Sequence, residues 1–291
     1  MSSLLRSCPE IYPGESLYSA FCRYHVRSCN HTENVTITQL FSRSTSMYTS
    51  ILSPHVLRRG AQWIKAVPGS GAKSLIQNHT ATPLYNACVP KFWCIQPESL
   101  GTPSSFEAYR PVFFHYIHQE RYLRFCPDCA AEQRRLYGES YWQVTPHIDL
   151  VEYCPIHHKR ILNSPIPLKS IAHHFYPADY VIHSMPGTES VPTSLDLTDE
   201  SIKAHIQLAN DVQLLLNKGE KIGTLPFHLL WSKLYNDNDT DTEIPRIMVH
   251  YFPSIPFPTS FWWLRMSSLQ TLLLIAYRYG GIKKWLKEIA D

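Results

Sequence analysis

Phe125-Cys126-Pro127-Asp128-Cys129 and Tyr153-Cys154-Pro155-Ile156-His157 follow one pattern: an aromatic residue, a ligand, a proline, one further residue and a second ligand. Two residues between ligands let a tight turn aim both side chains at one tetrahedral ion. Proline after the first ligand presets φ for that turn. Backbone N–H groups in the turn can bond to the sulfurs, and Phe125 and Tyr153 can shield the site. Three thiolates and one imidazole fill the four positions of zinc and leave none for water or substrate. The expected cofactor is therefore one structural Zn2+ held by Cys126, Cys129, Cys154 and His157. Such binding is worth on the order of 10–16 kcal/mol and is itself folding free energy. His158 competes for the fourth position, and the repeated two-residue gap favours His157.

Working outward, twenty-four residues separate Cys129 from Cys154. Ala130 to Tyr137 reads as a helix ended by Gly138, and Trp142 is expected to pack over the metal. On the N-terminal side, Tyr12 to Ser16 reads as a turn into a helix whose apolar face is Leu17, Phe21, Tyr24 and Val26. A second short helix is expected at Thr36 to Ser42, giving a helix-turn-helix-like pair. Further helices are expected after Ser53-Pro54, at Ala72 to Asn78 and at Phe106 to His118. On the C-terminal side a short strand is expected at Tyr180-Val181-Ile182. Thr198 to Asn217 carries the strongest helical periodicity, followed by helices at Pro226 to Leu234, Ser260 to Tyr277 and Ile282 to Ala290. The expected fold is mainly α with a small zinc-ribbon insert. It comprises an N-terminal helical domain over 1–118, a zinc ribbon over 119–164 and a C-terminal helical domain over 165–291.

Composition narrows the class. Hydrophobic residues make up 44% and charged residues 18% of 291, which excludes a disordered chain. Net charge is +3, but residues 1–80 hold eight Lys/Arg against three Glu, and residues 191–250 hold five Lys/Arg against nine Asp/Glu. A basic front and an acidic rear can face different partners. Candidate nucleic-acid contacts are Arg23, Arg27, Arg43, Arg58, Arg59 and Lys65, with Lys283, Lys284 and Lys287 as a second cluster. No apolar run suits a signal peptide or a membrane span, so a cytoplasmic, reducing setting without membrane contact is expected. There, paired Cys-x-x-Cys spacing favours metal over disulfide. Cys88 and Cys94 read as buried thiols rather than a second metal site with His115 or His118. The signatures H-E-x-x-H, Walker A and G-x-S-x-G are missing, and no H-x-E precedes the Cys pair as a zinc deaminase requires. An enzyme is not expected; a stand-alone zinc-ribbon DNA-binding regulator is the competing reading.

Three blocks in order resemble the TniQ/TnsD family of transposon target-selection proteins. Pro13-Gly14-Glu15-Ser16-Leu17-Tyr18-Ser19 with Arg23 is similar to its opening E-S-L-x-S…R block. His79-Thr80-Ala81-Thr82-Pro83-Leu84-Tyr85 is similar to its H-T-x-x-P-L-Y block. The stretch Arg124 to His157, including Tyr137-Gly138-Glu139-Ser140-Tyr141-Trp142-Gln143, is similar to its zinc block, with His158 standing where the family usually has Gly. The resemblance is dense over 9–165 and thin afterwards. It implies a non-enzymatic adaptor in transposition and DNA recombination within a bacterial cytoplasm. Family members link target DNA, directly or through a CRISPR effector complex, to a TnsC-type AAA+ ATPase that recruits the transposase. Members that join CRISPR effectors often do so as homodimers.

Overall fold

The computed structural model describes residues 8–41, 47, 51–53, 56–57, 61–68, 71–89, 94, 121–185, 188–189, 198–230 and 268–290. The expected helix at Phe106 to His118 lies outside them, as do parts of those after Ser53 and at Ser260 to Tyr277. The elements run α1 (Leu17–Ser28), α2 (Glu33–Phe41), α3 (Ala61–Ala66), α4 (Ala72–His79), α5 (Thr82–Cys88), β1 (Tyr122–Phe125), α6 (Pro127–Tyr137), β2 (Leu162–Pro167), α7 (Ala178–Ser184), β3 (Thr188–Glu189), α8 (Asp199–Ile222), α9 (Ser268–Tyr279) and α10 (Ile282–Glu288). The chain is mainly helical. Among the described residues no helix is long and apolar enough to cross a membrane.

Local signals place most of these helices. Ser16 is the N-cap of α1, its Oγ accepting from the Ser19 N–H at 3.2 Å. Leu17, Tyr18, Phe21 and Tyr24 face inward, but Val26 is 56% exposed, because the helical repeat puts it on the side of α1 opposite Leu17. The long helix α8 follows its periodicity and runs through Gly219 to Ile222. Ala204, Leu208, Val212 and Leu215 pack it mainly on α5 and α9. The strand expected at Tyr180-Val181-Ile182 is instead the middle of α7. Pro177 at the N-cap and Asp179 in the first turn are helix-start signals. They outweigh a three-residue β-prone run, and Ala178 and Val181, three apart, share the buried face.

A small antiparallel sheet, ordered β1-β2-β3, frames the Cys and His residues. Arg124 pairs with Asn163 and Phe125 with Leu162, with a register irregularity before Arg124. Among the described residues β3 pairs only with Leu162 and Asn163, so Pro165 lies beyond that partner, where a missing N–H does no harm. One apolar cluster joins all three sequence segments, including Phe21 and Trp63, Trp142 and Ile148, and Leu208 and Trp285. Trp63, Trp142 and Trp285 are fully buried. Each such ring removes about 150–250 Å² from water, on the order of 4–6 kcal/mol before entropy is counted.

Candidate metal centre

β1 ends at Phe125 and delivers Cys126 to the N-cap of α6. The first pair is thus not a free-standing turn followed by a helix. Pro127 occupies the first helical position, Cys129 lies in the first turn, and Ala130 N–H bonds to the Cys126 carbonyl at 3.0 Å. The positive end of the helix therefore faces the sulfurs. The helix ends at Gly138, whose φ of +80° allows its N–H to reach the Arg134 carbonyl at 2.9 Å.

The second pair forms the tip of a hairpin. Tyr153 pairs with Arg160, Ile161 N–H bonds to the Glu152 carbonyl at 3.0 Å, and Cys154 N–H bonds to the Lys159 carbonyl at 2.8 Å. Within the tip, the N–H groups of Ile156 and His157 both point at Cys154 Sγ, at 3.4 Å each. His158 N–H closes onto the Cys154 carbonyl at 2.9 Å with φ of +53°. A left-handed backbone at position 158 accounts for the glycine usual there in the family pattern, and it turns His158 outward, exposed. Lys159 and Asp128 join the two tips across the surface at 2.6 Å.

Cys126, Cys129, Cys154 and His157 converge and could hold one metal ion. Cys129 Sγ lies 3.6 Å from Cys154 Sγ. His157 Nδ1 lies 3.6 Å from Cys126 Sγ, 3.3 Å from Cys129 Sγ and 3.6 Å from Cys154 Sγ. A tetrahedron with metal–sulfur bonds of about 2.3 Å and metal–nitrogen bonds of about 2.0–2.1 Å has edges of roughly 3.5–3.8 Å. The donor set fits a tetrahedral ion on geometry as well as on ligand type. Among the described residues, no other group of three or more His, Cys, Asp or Glu side chains converges this way.

The electrostatics agree. Hydrogen bonds from Cys126 and Cys129, with backbone N–H groups behind them, pull the Cys154 thiol down to about 3. The Cys129 thiol is driven far up by the sulfurs of Cys126 and Cys154 and by burial. Three sulfurs this close cannot all shed their protons without a cation between them. Cys88 is buried in the core, away from this cluster.

Trp142 does not lie over the four donors as expected. It packs one layer behind, with its ring edge on Phe125 at 6.4 Å and its Nε1–H on the Tyr176 carbonyl at 2.7 Å. Gln143, Thr145 and Gln213 stand beside the sulfurs instead. Sequence reading also missed His147. Its Nδ1–H donates to the Gln143 carbonyl at 2.8 Å, and its Nε2 accepts from the Arg124 N–H at 3.0 Å. Burial pushes its pKa down to about 3, so this neutral ring pins β1 two residues before Cys126.

A second buried polar cluster includes Glu139, just past the Gly138 end of α6. Glu15 and Arg23 are 0% and 4% exposed, and Arg23 Nη1 donates to Glu15 Oε2 at 2.8 Å. Arg23 Nε donates to Glu139 Oε1 at 2.8 Å, and its guanidinium lies 3.7 Å above the Tyr12 ring. The backbone is stitched at the same place. Ser16 N–H bonds to the Trp142 carbonyl at 2.9 Å, Val144 N–H to the Gly14 carbonyl at 3.0 Å, and Glu15 pairs with Gln143. The Glu15-Ser16-Leu17 block is thus a latch onto the segment after α6.

This corrects one expected nucleic-acid contact: Arg23 is enclosed and committed to two carboxylates. Arg27 is 44% exposed and also bonds to Glu139, at 2.7 Å. Lys65 is exposed on α3, while Arg43, Arg58 and Arg59 lie outside the described residues. Lys283, Lys284 and Lys287 are exposed on α10.

Comparison with known proteins bears on this same half of the chain. A family model described as TniQ matches residues 7–161, a span holding all four converging donors and the Glu15–Arg23–Glu139 latch. The chain is also 26% identical over 156 residues to the Transposon Tn7 transposition protein TnsD of Escherichia coli, a match covering 53% of this chain and 30% of that protein. The match therefore spans under a third of that relative's length. With more than half of its residues inside the family match, the chain belongs to the TniQ family.

Proposed function

We propose that the chain is a target-site selection adaptor in DNA transposition. It connects target DNA, directly or through a CRISPR effector complex, to a TnsC-type AAA+ ATPase that recruits the transposase. In this reading the four converging side chains hold one structural zinc ion. The observation that carries it is the coincidence of the family match over 7–161 with the Cys3His cluster and the latch. Similarity to a Tn7 transposition protein supports the transposition setting.

Zinc with four protein ligands offers no position to a substrate. The role is therefore architectural. The ion would hold the start of α6 and the 152–161 hairpin in register, and the latch fastens α1 to that frame. The sequence segments 1–118, 119–164 and 165–291 serve as a DNA-facing part, a strut and a partner-facing part. Phosphate contacts fall to Lys65, Arg27, Arg43, Arg58 and Arg59, with Arg23 removed. A homodimer would double this surface.

The test is capture of the chain by a TnsC-type AAA+ ATPase, with and without target DNA. Joint retention of ATPase and DNA is the expected result. Site-specific DNA binding with no ATPase retention at any salt would leave the stand-alone zinc-ribbon regulator. Replacing Arg58 and Arg59 together by Ala should reduce the slope of log affinity against log salt by roughly 2 units. An unchanged slope removes that pair from the interface.

A further inference from the structure

The lysines of α10 lie outside the family match, which ends at residue 161. Gly280 and Gly281 join α9 to α10 with φ of +66° and +113°. A Cβ at Gly281 would meet the Gln207 side chain of α8, and Gln207 Nε2 donates to Asp211 Oδ1 at 3.0 Å. Asp211, itself buried, accepts the Ile282 N–H on Oδ2 at 3.0 Å and so holds the first turn of α10 against α8. Ile282 and Trp285 are fully buried, and the Trp285 ring stacks on Phe227 at 6.1 Å. These contacts fix the rotation of α10 about its own axis.

That rotation sends charge of one sign outward. At about 100° per residue, Lys283, Lys284 and Lys287 share the side of α10 opposite Ile282 and Trp285, and all three are exposed. Lys284 lies back over the turn, its Nζ 3.2 Å from the place a Cβ would take on Gly280. Among the described residues none of the three forms an ion pair. Lys283 favours the charged form of Asp211 through space only. Elsewhere Arg23, Arg27, Arg121, Arg124, Arg134 and Lys159 all meet carboxylates. Like charges one turn apart destabilise a helix, so a cluster left without acids points to a counter-charge outside the chain.

We propose that the Lys283–Lys284–Lys287 face of α10 holds the sugar-phosphate backbone of duplex DNA. Lys283 and Lys287 stand about 6 Å apart along the helix, and a DNA strand carries a phosphate about every 3.4 Å of its axis, so the pair can meet neighbouring phosphates. The cores of protein interfaces are apolar and depleted in Lys, whereas DNA interfaces are polar and positive. α10 exposes no large apolar side chain beside its lysines. Single strands are held by stacking on aromatic side chains, and the aromatic residue of α10 is the buried Trp285. Backbone contacts carry no base information, so α10 anchors the duplex without choosing its sequence. The inference rests on the adaptor reading for its setting and deepens it, placing a second DNA contact on the C-terminal segment beside its partner-facing surface.

The probe is a pair of unrelated fluorescein-labelled DNA duplexes, titrated by fluorescence polarisation against the full chain over a series of salt concentrations. One variant combines Lys283→Gln, Lys284→Gln and Lys287→Gln. A control combines Lys73→Gln with Lys218→Gln, on α4 and α8. Each replaced residue is exposed, so unchanged melting confirms folding. In the triple variant the slope of log affinity against log salt should fall by roughly 3 units on both duplexes, with affinity at least about tenfold lower. Replacing the same three residues by Arg should retain both. No duplex binding by wild type, an unchanged slope, or an equal loss per lysine in the control overturns the inference. So does a loss confined to one duplex or to a single-stranded oligonucleotide. Unchanged DNA binding with lost capture by a TnsC-type ATPase assigns the face to a protein and overturns it as well. An unchanged slope with ATPase capture intact leaves the adaptor standing. The expected slope change in a wild type that captures no ATPase sinks the adaptor and leaves α10 as a DNA contact.

Discussion

The candidate metal cluster takes in Cys126 at the start of α6 and the Glu15–Arg23–Glu139 latch takes in Glu139 just past its end, and both bury groups that prefer water. They solve that problem differently. The cluster gathers three thiols and an imidazole from two four-residue windows, and one cation could sit among them. The latch gathers its charges from residues 116 and 124 positions apart and neutralises them only against one another. Burial raises Glu15 to about 7 even though Arg23, the Tyr12 N–H and Ser19 all favour its charged form. A metal cluster is a source of folding free energy. A buried ion pair contributes little net stability and costs much when half of it is removed. With an ion bound the first would supply stability, and the second supplies register between α1 and the segment after α6.

The sharpest way to break this comparison is to remove a metal ligand. Cys129→Ser or His157→Ala should abolish stoichiometric zinc by elemental analysis. With about 10–16 kcal/mol of binding at stake, cooperative unfolding of the 121–167 segment should be lost as well. Retention of one zinc per chain in His157→Ala would discard the assignment. Next in size, Arg23→Ala should cost about 3–5 kcal/mol in urea titrations with metal content unchanged. The double replacement Glu15→Leu with Arg23→Met should recover most of that loss, since it leaves no uncompensated charge.

Acid–base behaviour separates the two clusters further. Glu15 has a folded pKa near 7 against an ordinary 4.5, so between these values the folded chain keeps a proton that the unfolded chain has released. Its contribution is complete below about 4.5 and is lost as pH rises through about 7. The stability of wild type relative to Glu15→Gln should therefore decline over that window, on the order of a few kcal/mol. A flat difference would show that Glu15 is ionised throughout. The smallest effect is expected at His158→Gly, where relief of the left-handed backbone and the added freedom of glycine nearly cancel. Stability should change by no more than about 1 kcal/mol, with zinc retained. Loss of zinc there would move the fourth ligand to His158.

These outcomes bear on how much of the molecule was legible beforehand. The Cys3His set was legible because tetrahedral coordination imposes a short, repeated spacing that survives without knowledge of the fold. Helix α8 was legible because Ile202, Ile206, Ala209, Val212 and Leu216 keep one period over several turns. Arg23 was not, because an arginine in a basic N-terminal segment looks the same whether it meets phosphate or Glu139. Tyr180-Val181-Ile182 was not, because three residues cannot establish a period against a helix start at Pro177.

By itself, then, the sequence determined what depends on neighbours along the chain: the ligand pairs, the amphipathic faces and the capping residues at Ser16 and Gly138. Tertiary structure alone decided what depends on neighbours across it. It enclosed Arg23 and made the Glu15-Ser16-Leu17 block a latch. Short spacings limit geometry strongly enough to be read directly. Whether a charge is buried or meets solvent is settled only when residues more than a hundred positions apart pack together.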